Sequence, residues 1–308
     1  MKVNKIRNSC LLLLTAFIWG TTFVAQRTGG DEIGPFAFTA IRSLIAAVFL
    51  FLVVKVIDKV KPSEKKPKNA QDRKLLWKAG ISCGIALVVA SNLQQLGITL
   101  GAPVGKAGFL TACYILIVPI LGLFLKKKCG WNIWVGVLIA LAGLFLLCIE
   151  DDYKIGIEDI LLILCAFVFS IQILLVDHYS PMVDGVRLSC IQFLVAGIIS
   201  VIPMLLFDTG CTKESISEFT ASFSGWNTWV SILYAAVLSS GVAYTLQIIG
   251  QNGLNPTVAS LLMSCESVFS ALAGWLILNE ILSNKEISGC VLIFIAIILA
   301  QLQFGKNE

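Results

Sequence analysis

The chain has 308 residues, 57% of them hydrophobic and only 14% charged, with a net charge of +4 and a mean hydropathy of +0.88. A soluble globular domain carries about 25% charged residues, so this composition excludes a water-soluble monomer and demands a lipid-like solvent. It leaves no segment long enough for a soluble nucleotide-binding domain, and the phosphate-binding pattern GxxxxGK[ST] does not occur.

A helical membrane span takes about 20 apolar residues. Spans are predicted near 9–26, 35–57, 75–97, 103–125, 131–149, 158–177, 186–207, 226–249, 255–279 and 286–304. Met1–Arg7 is basic, but the run Ser9–Gln26 is long and has no clear small-residue cleavage site, so it is read as an uncleaved first helix. Gly29, Gly30, Gly34 and Pro35 punctuate the first connection, Gly101 and Pro103 the third, and Asn252, Gly253, Asn255 and Pro256 the eighth. Proline suits the first turn of a helix, where its missing N–H costs nothing. Pro119 falls inside the fourth span and should kink it, and Gly241 should loosen the eighth.

Lysine and arginine divide unevenly between alternate loops. With a cytoplasmic N-terminus, 17 fall on the cytoplasmic side, nine of them between Lys55 and Lys78, and 4 on the other. The excess of basic residues on cytoplasmic loops therefore predicts both termini inside. Eight of the ten cysteines sit in or at the ends of apolar stretches, where cysteine acts as a small hydrophobe. No C-x-x-C pair exists, so no disulfide framework, metal site or other cofactor is expected.

The chain repeats itself. AFIWG at 16–20 resembles AFVFS at 166–170, IRSLIAA at 41–47 resembles IQFLVAG at 191–197, and LQQLGITLGAP at 93–103 resembles LQIIGQNGLNP at 246–256. The expected fold is an all-α integral membrane protein of ten transmembrane helices in two five-helix repeats, residues 1–150 and 151–308. Five is odd, so the second repeat enters from the opposite side and the halves are inverted. Inverted repeats with a midplane site at their interface mark secondary transporters.

Over nearly its whole length the sequence resembles the EamA-type transporters of the drug/metabolite transporter superfamily. The resemblance is carried by FIWGTTFVAQRTG (17–29), KAGFLTACYILIVPILGLFLKKK (106–128), LLVDHYSPMVDGVRLSCIQFLVAG (174–197) and ASLLMSCESVFSALAGWLILNE (259–280). The last is similar to the family's LEPVFAALLGWLLLGE, with Glu266 and Glu280 at its two acids and Ser267 where proline is usual, which removes one reason for a kink there. The resemblance implies ten helices, movement of amino acids and similar metabolites, and usually a bacterial inner membrane.

Ionisable groups inside hydrocarbon are costly and mark function by default. Glu266 lies about 11 residues into a helix of about 24, near the midplane, beside a small-residue face of Ser260, Ser264, Ser267, Ala271 and Gly274. It is a candidate partner for a substrate amine and a candidate proton-coupling carboxylate; the plainer alternative is a neutral acid bonded to a neighbouring helix. Arg42 and Lys106 would line an outward vestibule and hold a carboxylate or phosphate, or else snorkel to headgroups. The repeat-related Gln94 and Gln247, with Gln172, Asn92 and Gln95, either bind substrate or join helices. Trp19, Tyr114, Tyr244 and Trp275 offer an aromatic wall or ordinary core and interfacial packing. Asp177 and Arg187, flanking His178 and Asp184 after the sixth span, are candidates for an inner gate.

These features point to an alternating-access carrier, read as an exporter, for a small-molecule substrate such as an amino acid or related compound. Membrane lipid is the expected surrounding and nucleic acid is not an expected partner. The small-residue seams Gly136/Ala140/Gly143 and Gly289/Ala296/Ala300 suit packing within the chain or in a homodimer. A passive facilitator without ion coupling and a non-transporting membrane sensor or scaffold remain as alternatives. A membrane-embedded enzyme has no H-E-x-x-H or G-x-S-x-G motif to support it.

Overall fold

A computed structural model describes residues 5–61, 63–127, 130–148, 156–210, 212–278 and 283–301. Regular structure among them is entirely helical: α1 (Lys5–Ile33), α2 (Pro35–Val60), α3 (Ala70–Thr99), α4 (Val104–Ala112), α5 (Tyr114–Phe124), α6 (Trp131–Cys148), α7 (Ile157–Tyr179), α8 (Gly185–Pro203), α9 (Lys213–Ala221), α10 (Trp226–Leu233), α11 (Tyr244–Gln251), α12 (Pro256–Met263), α13 (Glu266–Leu278) and α14 (Asn284–Gln301). Eight stretches among the described residues, α4–α5, α10–α11 and α12–α13 each counting as one, are long and apolar enough to cross a membrane. Trp131–Leu146 in α6 and Ile287–Leu299 in α14 are shorter apolar helices. Residues 1–4, Glu280 and the predicted meeting point of the halves at 150/151 lie outside the described residues, as do the surroundings of Gly274 and the side chain of Ala300.

Several helix ends differ from the sequence expectation for physical reasons. α1 runs through Gly29 and Gly30, because these glycines serve close packing rather than a turn. A Cβ at Gly29 would lie 2.2 Å from the Phe38 ring, and one at Gly30 would lie 2.3 Å from Gln95 Nε2. The turn falls at Gly34, whose φ of 89° is the left-handed region that glycine reaches without strain. α3 starts ahead of its apolar run because Asn69 caps it, its side-chain oxygen accepting from Asp72 N at 2.8 Å, with Asp72 in the first turn. The segment after α8 holds α9, capped by Thr212, which accepts from Ser215 N at 3.1 Å.

Four of the eight stretches are not uniform helices, and one of them, Gly185–Asp208, is α8 continued by the π-helical segment Met204–Asp208. The fourth is divided at Cys113, between α4 and α5, while Pro119 sits inside α5. The α12–α13 stretch is divided at Ser264–Cys265 without any proline; Ser267 donates to Gly108 O of α4 at 2.9 Å. The α10–α11 stretch is rewound, its π-helical segment Tyr234–Ala243 enclosing Gly241. Such wide turns inside α-helices concentrate at functional sites. A Cβ at Gly241 would meet the Phe49 ring at 2.7 Å, so the glycine admits α2 here.

α2 packs along α8 and α6 along α14, while α1 lies against α11–α13 and α3 against α7 and α8. The α6 and α14 seams are used within the chain: a Cβ at Gly143 would lie 2.7 Å from Gly289 O, and Ala140 and Ala296 are buried. Two crossings match closely. A Cβ at Gly97 would lie 3.0 Å from Leu162 Cγ and 3.1 Å from Glu158 O, and one at Gly250 would lie 3.0 Å from Leu12 Cγ and 3.1 Å from Asn8 O. The ends of the α2–α8 pair are tied by aspartates. Asp208 accepts from Ala37 N at 2.6 Å at the start of α2, and Asp58, near the end of α2, pairs with Arg187 of α8.

Candidate functional site

The breaks between α4 and α5 and between α12 and α13 bring two side chains to the centre. Tyr114 is the first residue of α5 and Glu266 the first of α13, each directly after a break. Tyr114 Oη donates to Glu266 Oε1 at 2.9 Å, and the glutamate is 3% exposed. Around this pair lies a cavity lined by side chains of α1, α2, α3, α4, α7 and α11.

Eight of the nine predicted substrate-site residues line this cavity: Trp19, Arg42, Gln94, Tyr114, Gln172, Tyr244, Gln247 and Glu266. The glutamines form two amide pairs in its wall. Gln26 Nε2 donates to Gln94 Oε1 at 3.0 Å, joining α1 to α3, and Gln247 Nε2 donates to Gln172 Oε1 at 3.1 Å, joining α11 to α7. Helix joining and cavity lining are therefore done by the same side chains. Gln94 Nε2 donates onward to Thr111 Oγ1 at 3.2 Å. On the aromatic side, the Trp19 and Tyr244 ring centroids are 4.6 Å apart and Phe193 meets Tyr244 edge-on at 5.2 Å. Arg42 does not snorkel: it is 5% exposed, with Cζ 5.6 Å from the Phe38 ring centroid.

The remaining candidates sit elsewhere. Lys106 lies outside the cavity, its Nζ 2.7 Å from Asp159 Oδ2. Asp159 is fully buried and also accepts from Gly156 N at 3.0 Å, capping α7. Asp177 and Arg187 do not pair with each other. Asp177 Oδ2 is 2.7 Å from Lys127 Nζ, and Arg187 engages Asp58 together with Asp184 at 3.5 Å. Asn92 donates to Ser200 Oγ at 3.1 Å and Gln95 to Gln26 O at 2.8 Å, so both act between helices. Trp275 is 49% exposed on the outside of the helix bundle.

Sequence reasoning missed Thr22, Gln26, Thr111 and Ser239 in the cavity wall. Trp19, Thr22 and Gln26 follow one another at helical spacing on one face of α1, a stripe legible in the sequence. Ser239 gave no signal, because it sits in an ordinary run of small residues and reaches the cavity through the π-helical rewinding. Among the described residues no three His, Cys, Asp or Glu side chains gather to hold a metal ion.

Two stretches, 7–149 and 156–302, each match the sequence profile of the EamA-like transporter family. A protein of Archaeoglobus fulgidus, named as an uncharacterized transporter, is 30% identical over 293 residues, covering 95% of this chain and 85% of its own. The uncharacterized transporter YoaV of Bacillus subtilis is 22% identical over 96% of this chain and 97% of its own. A WAT1-related chloroplastic protein of Arabidopsis thaliana is 23% identical over 96% of this chain and 70% of its own. One solved crystal structure superimposes with a TM-score of 0.74 over 95% of this chain and 96% of that one, at 17% identity, a likeness of fold alone. The profile matches extend over nearly the whole chain, and the apolar helices are of membrane-crossing length: this is a multi-pass membrane protein that belongs to the EamA-like transporter family.

Proposed function

We propose that the protein is a secondary carrier that moves small polar metabolites, such as amino acids or related compounds, by alternating access, working as an exporter in a bacterial cell membrane. On this reading α6 and α14 complete a set of ten spans. The chain is two inverted halves, 1–150 and 151–308, with both termini cytoplasmic. The observation that carries it is the central cavity, where both halves contribute polar side chains to one buried space around Tyr114 and Glu266. Secondary transporters place their sites at such repeat interfaces, on discontinuous helices.

The inverted arrangement is supported by contacts that recur at a separation near 150 residues. Gly97 and Gly250 admit equivalent leucines and carbonyls, and Asp58 and Asp208 tie opposite ends of α2 and α8. The double family match supports the same division. Glu266 is the proton-coupling group in this proposal, since intramembrane carboxylates mark proton and substrate pathways.

The test is flux in liposomes holding the purified protein, preloaded with single radiolabelled amino acids. Efflux above protein-free vesicles, saturable and accelerated by an imposed pH gradient, is the expected result. Saturable flux indifferent to the gradient would replace the coupled carrier with a passive facilitator. Flux indistinguishable from protein-free vesicles across the whole panel would sink the carrier proposal for this substrate class and raise the sensor or scaffold alternative.

A further inference from the structure

The cavity wall is short of hydrogen-bond acceptors. Four of its buried polar atoms have no protein partner among the described residues: Trp19 Nε1, Arg42 Nε, Gln172 Nε2 and Gln247 Oε1. Three are donors and one an acceptor. The two glutamine atoms cancel, because exchanging oxygen and nitrogen in both amides of that bonded pair still leaves one donor and one acceptor. The surplus therefore belongs to Trp19 and Arg42. The one carboxylate in the wall, Glu266, is already engaged by Tyr114 at 2.9 Å. Arg42 adds a full positive charge at 5% exposure, with no carboxylate within 4.0 Å of it among the described residues.

A buried cation and a buried indole N–H each lose favourable hydration and need a compensating partner. The group that meets both needs brings oxygen acceptors and negative charge. We infer that the cavity is an anion site, which takes its ligand through a carboxylate held by the Arg42 guanidinium and the Trp19 N–H and makes no requirement of an amine. The planar guanidinium fork matches a carboxylate through two parallel hydrogen bonds. The Tyr244 ring, tilted at 55° against Trp19, gives an apolar tail a surface beside the charged end. In treating this ligand as cargo, the inference rests on the carrier proposal; the anion site itself does not.

The test uses matched trios on the purified full chain in detergent at constant ionic strength: phenylalanine, 3-phenylpropionate and phenethylamine, then leucine, 4-methylpentanoate and isoamylamine. Melting temperature is read against concentration. In at least one trio both acids should raise it while the amine does not. Arg42→Met should require more than tenfold higher acid concentration for the same shift, with Arg42→Lys between it and the wild type. Trp19→Phe, which keeps a ring and removes the donor, should weaken the acids by a smaller factor. Amines that stabilise as strongly as their acids, or an Arg42→Met protein with the wild-type response, would overturn the anion site. So would a panel in which no carboxylate shifts the melting temperature. The carrier proposal is judged apart from this, by liposome flux of whichever compound binds.

Discussion

Tyr114 and Glu266 stand 152 residues apart, each the first residue after a helix break, and the hydroxyl of one donates to the carboxylate of the other at 2.9 Å. If the halves are inverted repeats, the register that sets Gly97 against Gly250 sets Tyr114 against Ser267 and Glu266 against Cys113. The bond therefore joins two residues that are not each other's counterparts, and an exchange of conformations between the halves would carry it onto a different pair. Glu266→Gln keeps an oxygen that can accept from Tyr114 but no longer binds a proton. It should fold and lose the response of flux to an imposed pH gradient. Tyr114→Phe removes a donor from a buried acid and should cost about 1–3 kcal/mol of stability. A Glu266→Gln protein with the wild-type pH response in liposomes would end the coupling role of this side chain.

Gly97 and Gly250 make a second paired prediction. At both positions a Cβ would press on a leucine and a backbone carbonyl at 3.0–3.1 Å. Gly97→Val and Gly250→Val should each destabilise by about 1–3 kcal/mol, the usual range for overpacking, and by similar amounts. Gly105→Ala is the control, since nothing lies within 4 Å of its Cβ position, and its melting temperature should equal or slightly exceed that of the wild type. A large penalty at one glycine and none at the other would argue against equivalent crossings.

Much of the fold was legible because a membrane span announces itself by length and hydropathy, and because the repeated segments are offset by a nearly constant number of residues. The cavity residues were legible for a related reason: a polar side chain in hydrocarbon has few places to go except inward. What stayed hidden depends on contacts distant in sequence. Gly29 and Gly30 read as turn signals because nothing local reveals Phe38 and Gln95 pressed against them. Cys113 and Ser264–Cys265 carry no break signature, while Pro119 drew the expected kink six residues too late. Lys106 looked like a substrate ligand because Asp159, 53 residues away, falls at the very start of a predicted span.

The Lys106–Asp159 pair should therefore matter to folding rather than to recognition. Removing one partner of a buried ion pair strands the other and costs about 3–5 kcal/mol, and Asp159 is fully buried. Lys106→Met should lower the melting temperature sharply, Lys106→Arg much less, and the ligand affinity of the folded fraction should be unchanged in both. A selective loss of ligand affinity in a Lys106→Met protein of normal stability would return this lysine to the binding site.

The charges at the other end of the bundle give the last prediction. Arg187 engages Asp58 and Asp184, while Asp177 is held by Lys127 at 2.7 Å, so the two residues first considered as a gate belong to separate ion pairs. Asp58 also receives Lys66 Nζ at 3.1 Å, which draws the connection between α2 and α3 into the same cluster. Charge reversal separates the two arrangements. Asp58→Arg and Arg187→Asp should each lower the melting temperature, and the double reversal should recover part of the loss, because the attraction is restored across α2 and α8. Asp177→Arg combined with Arg187→Asp should recover nothing, since each substituted side chain then faces a partner of like charge, Lys127 on one side and Asp58 on the other. Recovery in the second combination and not the first would mean that Asp177 and Arg187 meet in solution, and the inner gate would have to be rebuilt around that pair.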